Sequence, residues 1–236
     1  EVACRAVGEG TWQRRDLDDH DRYYMHLILW DPADLEIAGA YRLGDCAQIL
    51  QKVGSDGLYT QAFYQFDKAM SDIHAEGPEL GRSFVQPRYW GKRSLDYLWM
   101  GIGALLRARP QYRYLFGSVS ISNALPDPAK EALVTFYRHY FPAQQPLAVA
   151  NHPYQPDARH FRLSGCYEED FCDLKSYLAS MGAAVPTLYK QYADLCEKGG
   201  VQFLAFGVDP DFSNSIDGLV LVDVTKLKAK KRKRYL

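Results

Sequence analysis

The stretch ELGRSFVQPRYWGKRS, residues 79–94, holds four cations, two glycines and one acid. It joins a β-like run to a segment with helical periodicity. The first N–H groups of a helix lack intrahelical partners, and the helix dipole is positive there. Gly91 lets a ligand approach the backbone closely, Arg88, Lys92 and Arg93 add formal charge, and Ser94 opens the helix. Such a turn can hold an anion, with a phosphate or pyrophosphate as the expected guest. A solvated cationic turn is the competing reading.

Positioning that turn takes a strand before it and a helix after it. Residues 80–85 read as the strand. Leu95, Leu98, Trp99, Ile102, Leu105 and Leu106 recur at helical spacing and give one apolar face to a helix over about 92–107. Pro110 ends it, and YRYLFGSVSIS (112–122) is the next strand. A strand–helix–strand crossover makes its two strands parallel. Upstream, HLILWDP and EIAGAYRL (26–32 and 36–43) form an antiparallel hairpin, followed by a helix within 62–70. Downstream, DPAKEALVTFYRHYF carries a capping Asp and a first-turn proline and reads as a helix. Residues 144–162 are loop, 167–179 and 186–198 are helices, and VQFLAFGV and DGLVLVDV are strands on either side of DPDFSNSI.

A chain of 236 residues, 47% hydrophobic and 24% charged, suits one sizeable domain with a full core. No apolar run approaches the roughly 18–20 residues of a membrane-spanning helix. The opening EVACRAVGEG has no signal-peptide pattern and no initiator Met, as expected of a fragment. Five cysteines (Cys4, Cys46, Cys166, Cys172, Cys196) without a CxxC pair read as reduced cytosolic thiols. The net charge of −1 conceals an asymmetry, because the end KLKAKKRKRYL holds seven cations and no acid. The other 225 residues carry 21 cations against 29 anions, which disfavours nucleic acid as a partner. The division expected is a domain over 1–225 and a basic tail over 226–236. The tail is either solvated and disordered or a contact with an anionic membrane surface or acidic partner.

Several blocks together resemble one family. DLDDHDRYYMHLIL, EIAGAYRLG, ELGRSFVQPRYWGKRSLDYLWMGIG, YRYLFGSVSIS and DPDFSNSIDGLVLVDV are similar to N-acyltransferases of the ornithine-lipid type within the GNAT superfamily. Many of these carry the label "hemolysin", which finds no support in the residues. The fold implied is α/β (α+β): a GNAT-like mixed, mostly antiparallel sheet with a central parallel pair, helices on both faces and a helical insertion at about 123–198. The opening CRAVGEG resembles fusions in which the module follows a lysophospholipid acyltransferase domain, with the first strand and most of the first helix absent here. The activity implied is transfer of a long-chain acyl group from acyl carrier protein to the amino group of an amino acid, giving a lyso-aminolipid. RYWGKRS departs from the RxxGxG/A loop of CoA-using acetyltransferases, which favours acyl carrier protein over acyl-CoA as donor. No tightly bound cofactor and no metal are implied. The expected setting is the cytoplasm, with peripheral contact at the inner face of the membrane.

Acyl transfer to an amine needs a neutral nucleophile, a polarised thioester carbonyl and a way to remove a proton. With the resemblance, Glu79 becomes the candidate general base, an ion pair with Arg82 or Arg88 being its bland alternative. Arg82, three residues on, falls on the opposite strand face unless a bulge intervenes. With a bulge, it could grip a substrate carboxylate. Asp18 and Asp21 could hold the acceptor amine, His26 could relay a proton, and Arg42 could meet a carboxylate or these aspartates. A capping Asp and a core-edge His are the alternatives. Ser120 and Ser122 could bind pantetheine amides, or simply be the polar face of a half-buried strand. No His–Asn pattern accompanies a cysteine, so direct transfer is expected rather than a covalent intermediate. The competing functions are an acyl-homoserine-lactone-like signal synthase and a non-catalytic acyl-carrier or lipid-binding module.

Overall fold

The computed structural model describes residues 17–157, 159 and 161–236. Cys4 and the CRAVGEG block lie outside the described residues. Six strands form the main sheet, in the order β1 (Met25–Asp31), β2 (Glu36–Asp45), β4 (Pro78–Val85), β5 (Tyr114–Ile121), β8 (Ser215–Asp223), β7 (Val201–Asp209). β1 and β2 make the antiparallel hairpin. β4 runs through helix α3 (Ser94–Ala108) to β5, and β4 and β5 are parallel, as a crossover demands. β7 and β8 close the sheet antiparallel to one another, with β8 beside β5.

Apolar side chains on both faces explain the layering. Over one face pack α3, α4 (Asp127–Tyr140), α5 (Tyr167–Ser180) and α6 (Thr187–Ala193), around Leu98, Ile102, Leu133, Phe136, Leu174 and Tyr189. The opposite face is covered by α1 (Cys46–Lys52), α2 (Met70–Ala75) and a two-stranded sheet of β3 (Tyr64–Phe66) with β6 (Ala148–Ala150). Helices thus lie on both faces of a GNAT-like mixed sheet, and α4 to α6 occupy the 123–198 insertion.

Several segments differ from the sequence reading: the expected loop over 144–162 holds β6, and the helix expected over 186–198 ends at Ala193. The expected helix within 62–70 is instead β3 and a turn, because Tyr64, Gln65 and Phe66 pair with Ala150, Val149 and Ala148 across the chain. A three-residue strand of this kind is set by a distant partner, not by local periodicity. The C-terminal cations form helix α7 (Ala229–Tyr235), docked on α3. Tyr235 and Leu227 are buried, and a side chain at Gly103 would overlap the Tyr235 carbonyl. Lys228 and Lys231 grip Asp194 at 2.9 and 2.8 Å, Arg232 donates to the carbonyls of Val224 and Thr225, and Arg234 holds Asp96. Lys230 and Lys233 face outward.

Asp96 carries much of this docking. Its hydrogen bond from Arg234, with others from Arg93 and Tyr235 against the cost of burial, holds its carboxyl down at about 2, below the ordinary 3.8. A lowered native value means the stabilisation is complete above about pH 4 and is lost as the pH falls through about 2. Protection of the α7 amides against hydrogen exchange, relative to the intrinsic rate at each pH, should therefore fall between pH 4 and 2, and Asp96→Ala should show the lower protection already at pH 6. Unchanged α7 protection in that variant would remove Asp96 from the docking.

Candidate active site

A buried guanidinium organises the sheet face under α1 and β3. Arg42, on β2, is 1% exposed and lies opposite His26 on β1 and Gly81 on β4. Its Nη1 donates to both Asp18 oxygens at 2.8 and 2.9 Å and to Asp21 Oδ1 at 3.3 Å. The rings of Tyr24 and Tyr59 flank it, each centroid 5.0 Å away. A charge removed from water in this way needs such neighbours, since an uncompensated buried ion costs several kcal/mol.

The spacing of Asp18 and Asp21 serves two ends. They form a capping box on a 3-10 turn, Asp19–Arg22, in which Asp18 accepts from the Asp21 amide and the Asp18 amide donates to Asp21 at 2.9 Å. The same carboxylates face Arg42, Arg82 and His26, with Arg82 Nη2 2.9 Å from Asp18 and His26 Nε2 3.4 Å from Asp21. Burial opposes ionisation of Asp18, but the hydrogen bond and charge of Arg42, helped by Arg82, hold its carboxyl below the usual range. The capping role and the cluster role therefore coexist.

Arg82 reaches this face because β4 is irregular there. Arg42 lies opposite Gly81 and Ala40 opposite Phe84, so Arg82 and Ser83 together oppose Tyr41. Arg82 has φ of 43°, in the left-handed region that few non-glycine residues adopt. This bulge turns the side chain toward Asp18, on the face that also carries Glu79. Strict alternation would have sent it to the α3 side.

Glu79 is 1% exposed, and both its oxygens are engaged. Oε1 accepts from the Thr60 amide at 2.7 Å. Oε2 accepts from the Tyr59 amide at 3.0 Å and from the Tyr24 hydroxyl. The carboxylate thereby ties the 3-10 turn Tyr59–Ala62 and the Tyr24 ring to β4, on either side of Arg42. Tyr24, Tyr59 and Thr60 are the members that sequence reasoning missed. The aromatic run RYYMH was the available signal for Tyr24, whereas LYTQAFY has no pattern that ties it to β4.

The donor turn is arranged differently. Arg88 pairs with Asp34 and with Glu36 at 3.1 Å, both at the β1–β2 hairpin, and Arg93 pairs with Asp96 at 3.0 Å. Lys92 lies over the Tyr89 ring and has no carboxylate partner among the described residues. Gly91 has φ of 71°, and α3 starts at Ser94 with no side chain capping its first amides. The expected helix start at 92 thus gives way to a turn. β5 ends at Ile121, and the Ser122 hydroxyl accepts from the Ala124 amide at 3.2 Å, so only Ser120 stays on the strand face. Ser120 is exposed. Cys46 is fully buried, and burial pushes its thiol well up, so it is no nucleophile. Among the described residues no three His, Cys, Asp or Glu side chains converge as a metal would need.

A mixed sheet with one parallel pair and a bulged β4 is a GNAT-like fold, and residues 2–100 match the family model described as Acetyltransferase (GNAT) domain. That match and the relatives it accompanies support an N-acyltransferase enzyme. It is 27% identical, over all of its length and 74% of the relative's, to a glycine N(alpha)-acyltransferase of Bacteroides thetaiotaomicron. It is 32% identical, over 59% of its length and 50% of the relative's, to an L-ornithine N(alpha)-acyltransferase of Brucella abortus. A similar solved structure, at 13% identity and a TM-score of 0.44 over 98% of this chain and 82% of its own, is the CoA-dependent acyl-homoserine lactone synthase MesI.

The engagement of Glu79 generates a test of its role. Glu79→Gln turns an amide NH₂ toward one of the two backbone donors, the Tyr59 or the Thr60 amide, so denaturant unfolding should show a loss of about 1–3 kcal/mol. A variant of undiminished stability with collapsed turnover would give Glu79 the base role instead.

Proposed function

We propose that the protein transfers a long-chain fatty acyl group from the phosphopantetheine of acyl carrier protein to the α-amino group of an amino acid, giving a lyso-aminolipid. The observation that carries this reading is the β4 bulge, which brings Arg82 beside Asp18 and Arg42 where β4 and β5 have their one registered pair, Glu79 with Phe116. A thioester lying along β4 would find backbone groups freed from the ladder by the bulge. The acceptor's carboxylate would be drawn to Arg82, whose side chain is 28% exposed, whereas Arg42 lies too deep to be reached without rearrangement. Asp18, Asp21 and His26 support and orient these arginines. With Cys46 buried, the amine attacks the thioester directly: the C–N bond forms, the C–S bond breaks, one proton of the nitrogen is released and another ends on the thiol.

The charge state of the donor turn supports acyl carrier protein over acyl-CoA. Arg88 and Arg93 are held by carboxylates, which leaves Lys92, the Gly91 turn and the α3 amides to meet an anion. That complement suits the single phosphodiester of a carrier-bound arm better than a nucleotide's several phosphates. A peripheral membrane contact is part of the reading. Arg234 holds Asp96, so the end of α7 lies at the same end of α3 as Lys92 and the exposed Trp90. Trp30 and Leu35 of the hairpin are also exposed. Aromatic and cationic groups together suit the headgroup region of an anionic leaflet. No helix among the described residues is long and apolar enough to cross a membrane.

Incubation with acyl-loaded carrier protein or acyl-CoA and a panel of amino acids, read by mass spectrometry, should yield N-acyl amino acid, faster from the carrier-bound donor. Carrier binding without any N-acyl product would leave a non-catalytic module, and an acyl lactone would make it a signal synthase. Arg82→Ala should raise the acceptor KM at least tenfold while donor binding stays intact. Lys230→Glu with Lys233→Glu should weaken binding to anionic vesicles by about 1 kcal/mol per charge, an effect that fades with salt; vesicle binding indifferent to both would end the membrane reading.

A further inference from the structure

The acceptor amine arrives as an ammonium, and the groups described so far leave its proton without a destination. Both Glu79 oxygens accept hydrogen bonds, and Asp18 is held ionised by two arginines. One carboxyl outside that cluster stands on the same sheet face. Glu79 on β4 lies opposite Phe116 on β5, and alternation carries that face through Ser118 to Ser120. Ser120 in turn lies opposite Asp217 on β8. Gly117 still lies close against the Leu80 carbonyl, and past that point no further β4–β5 pair is registered before the bulge at Arg82. One wall of the gap is the bulge with Arg82, and the other is β5 with the exposed Ser120 hydroxyl, backed by Asp217.

The surroundings of Asp217 fit a group that takes and returns a proton. It is 5% exposed, and Asp209, two residue pairs along β7–β8 on the same face, is 4% exposed. The Asp209 carboxylate accepts from the amides of Asp211 and Phe212 at 2.9 and 3.2 Å, contacts that favour its charged form. Burial first, and the Asp209 charge second, push the Asp217 carboxyl up to about 6, while the hydroxyls of Ser120 and Ser215 favour its ionised form. Three tyrosines also stand around it. Tyr64 of β3 donates to the Asp217 carbonyl at 3.0 Å, Tyr189 of α6 lies across the sheet, and Tyr59 stands on the near side. All three hydroxyls are held above their ordinary range, so they stay neutral. Tyr59 feels the charges of Asp217 and Asp209 as well as those of Arg82 and Arg42, and the Arg42 guanidinium lies 5.0 Å from its ring centroid. Acidic and cationic groups thus both act on one ring, as the two ends of a zwitterion require.

Resting on the acyl-transfer reading above, we propose that Ser120 contacts the acceptor's ammonium and passes one of its protons to Asp217, while the acceptor's carboxylate lies toward Arg82. The nitrogen gives up a proton to the Ser120 oxygen as the Ser120 hydroxyl proton moves to the Asp217 carboxylate. The neutral amine then forms the C–N bond as the C–S bond breaks, and the leaving thiolate takes the second nitrogen proton. Asp217 returns its proton to solvent between turnovers. Asp217 acts through Ser120, as a positioning and proton-holding residue.

The test compares wild type, Asp217→Asn, Ser120→Ala and Ser120→Thr by kcat/KM against pH, with carrier-bound donor and glycine as acceptor. Wild type should show an acid limb with a midpoint near 6. Asp217→Asn should lose at least a hundredfold in kcat near pH 7, together with that limb. Should that buried substitution impair folding, Ser120→Ala, at an exposed position, carries the decision. It removes a hydroxyl that favours the charged carboxyl, so the limb should move above 6 and kcat fall at least tenfold, and Ser120→Thr should restore both. An acceptor such as glycinamide, whose less basic amine is about half neutral near pH 8, should show a smaller loss in each variant. Equal rates and an unmoved limb in Ser120→Ala would overturn the proposal while leaving acyl transfer in place. Absence of N-acyl product from wild type would overturn both.

Discussion

Everything at this site follows from placing one guanidinium inside the sheet. Arg42 is shielded from water, so its charge has to be met by protein, and the chain meets it from three directions. The segment before β1 supplies Asp18 and Asp21 on a turn that those residues cap. Tyr24 and Tyr59 supply the faces of two rings. Glu79 supplies no direct bond to Arg42, yet it fastens the Tyr24 hydroxyl and the Tyr59 and Thr60 amides and so holds both rings in place. Removing Asp18 would strip the buried guanidinium of its main partner, and removing Glu79 would leave the Tyr59 and Thr60 amides without their acceptor. The cluster's rigidity gives Arg82 a fixed partner in Asp18, and hence a fixed place at the gap between β4 and β5.

The legible parts of the fold were those written in local pattern. The hairpin, the helix after β4 and the parallel strands around it all carry periodicity or turn chemistry within a dozen residues. The bulge was conditionally legible, because a Glu and an Arg three apart can share a strand face only if the register slips. Elements set by remote contacts were not legible. α1 spans seven residues and β3 only three, and β3 exists because residues 148–150 lie beside it. The last eleven residues illustrate the same limit. Their composition reads as a solvated tail, but Leu227 and Tyr235 find the α3 surface, and carboxylates at 96 and 194 meet the charges. A cation count cannot foresee partners placed 34 to 138 residues away.

The same limit governs the donor turn. Sequence showed four cations in a short stretch, but not that Arg88 is claimed by the hairpin and Arg93 by the first turn of its own helix. Those pairs shape the loop more than they charge it. Arg88 pins the turn against Asp34 and Glu36, Tyr89 donates to Asp31 at 2.6 Å, and Trp90 Nε1 donates to the Val85 carbonyl at 2.7 Å. The anion-holding capacity then rests on Lys92 and on backbone amides, which recognise a phosphate by geometry as well as by charge.

Asp217 shows why the second wall of the site escaped sequence reading. In DGLVLVDV it is the polar residue at the start of an apolar run, a position where an aspartate is ordinarily a turn or capping residue. Its meaning comes from two registers at once: β8 on β5, which sets it opposite Ser120, and β5 on β4, which puts Ser120 on the face of Glu79. The second register depends on close approach, since a side chain at Gly117 would overlap the Leu80 carbonyl and force β4 and β5 apart. A glycine in β5 therefore helps decide which carboxyl faces which arginine across the gap. The two walls divide the labour that acyl transfer imposes: the arginine wall must keep its charge at every pH, and the hydroxyl-backed wall must change its own. An ion-paired cluster such as Asp18 with Arg42 and Arg82 resists protonation, so proton traffic falls to a carboxyl that burial has left poised to accept.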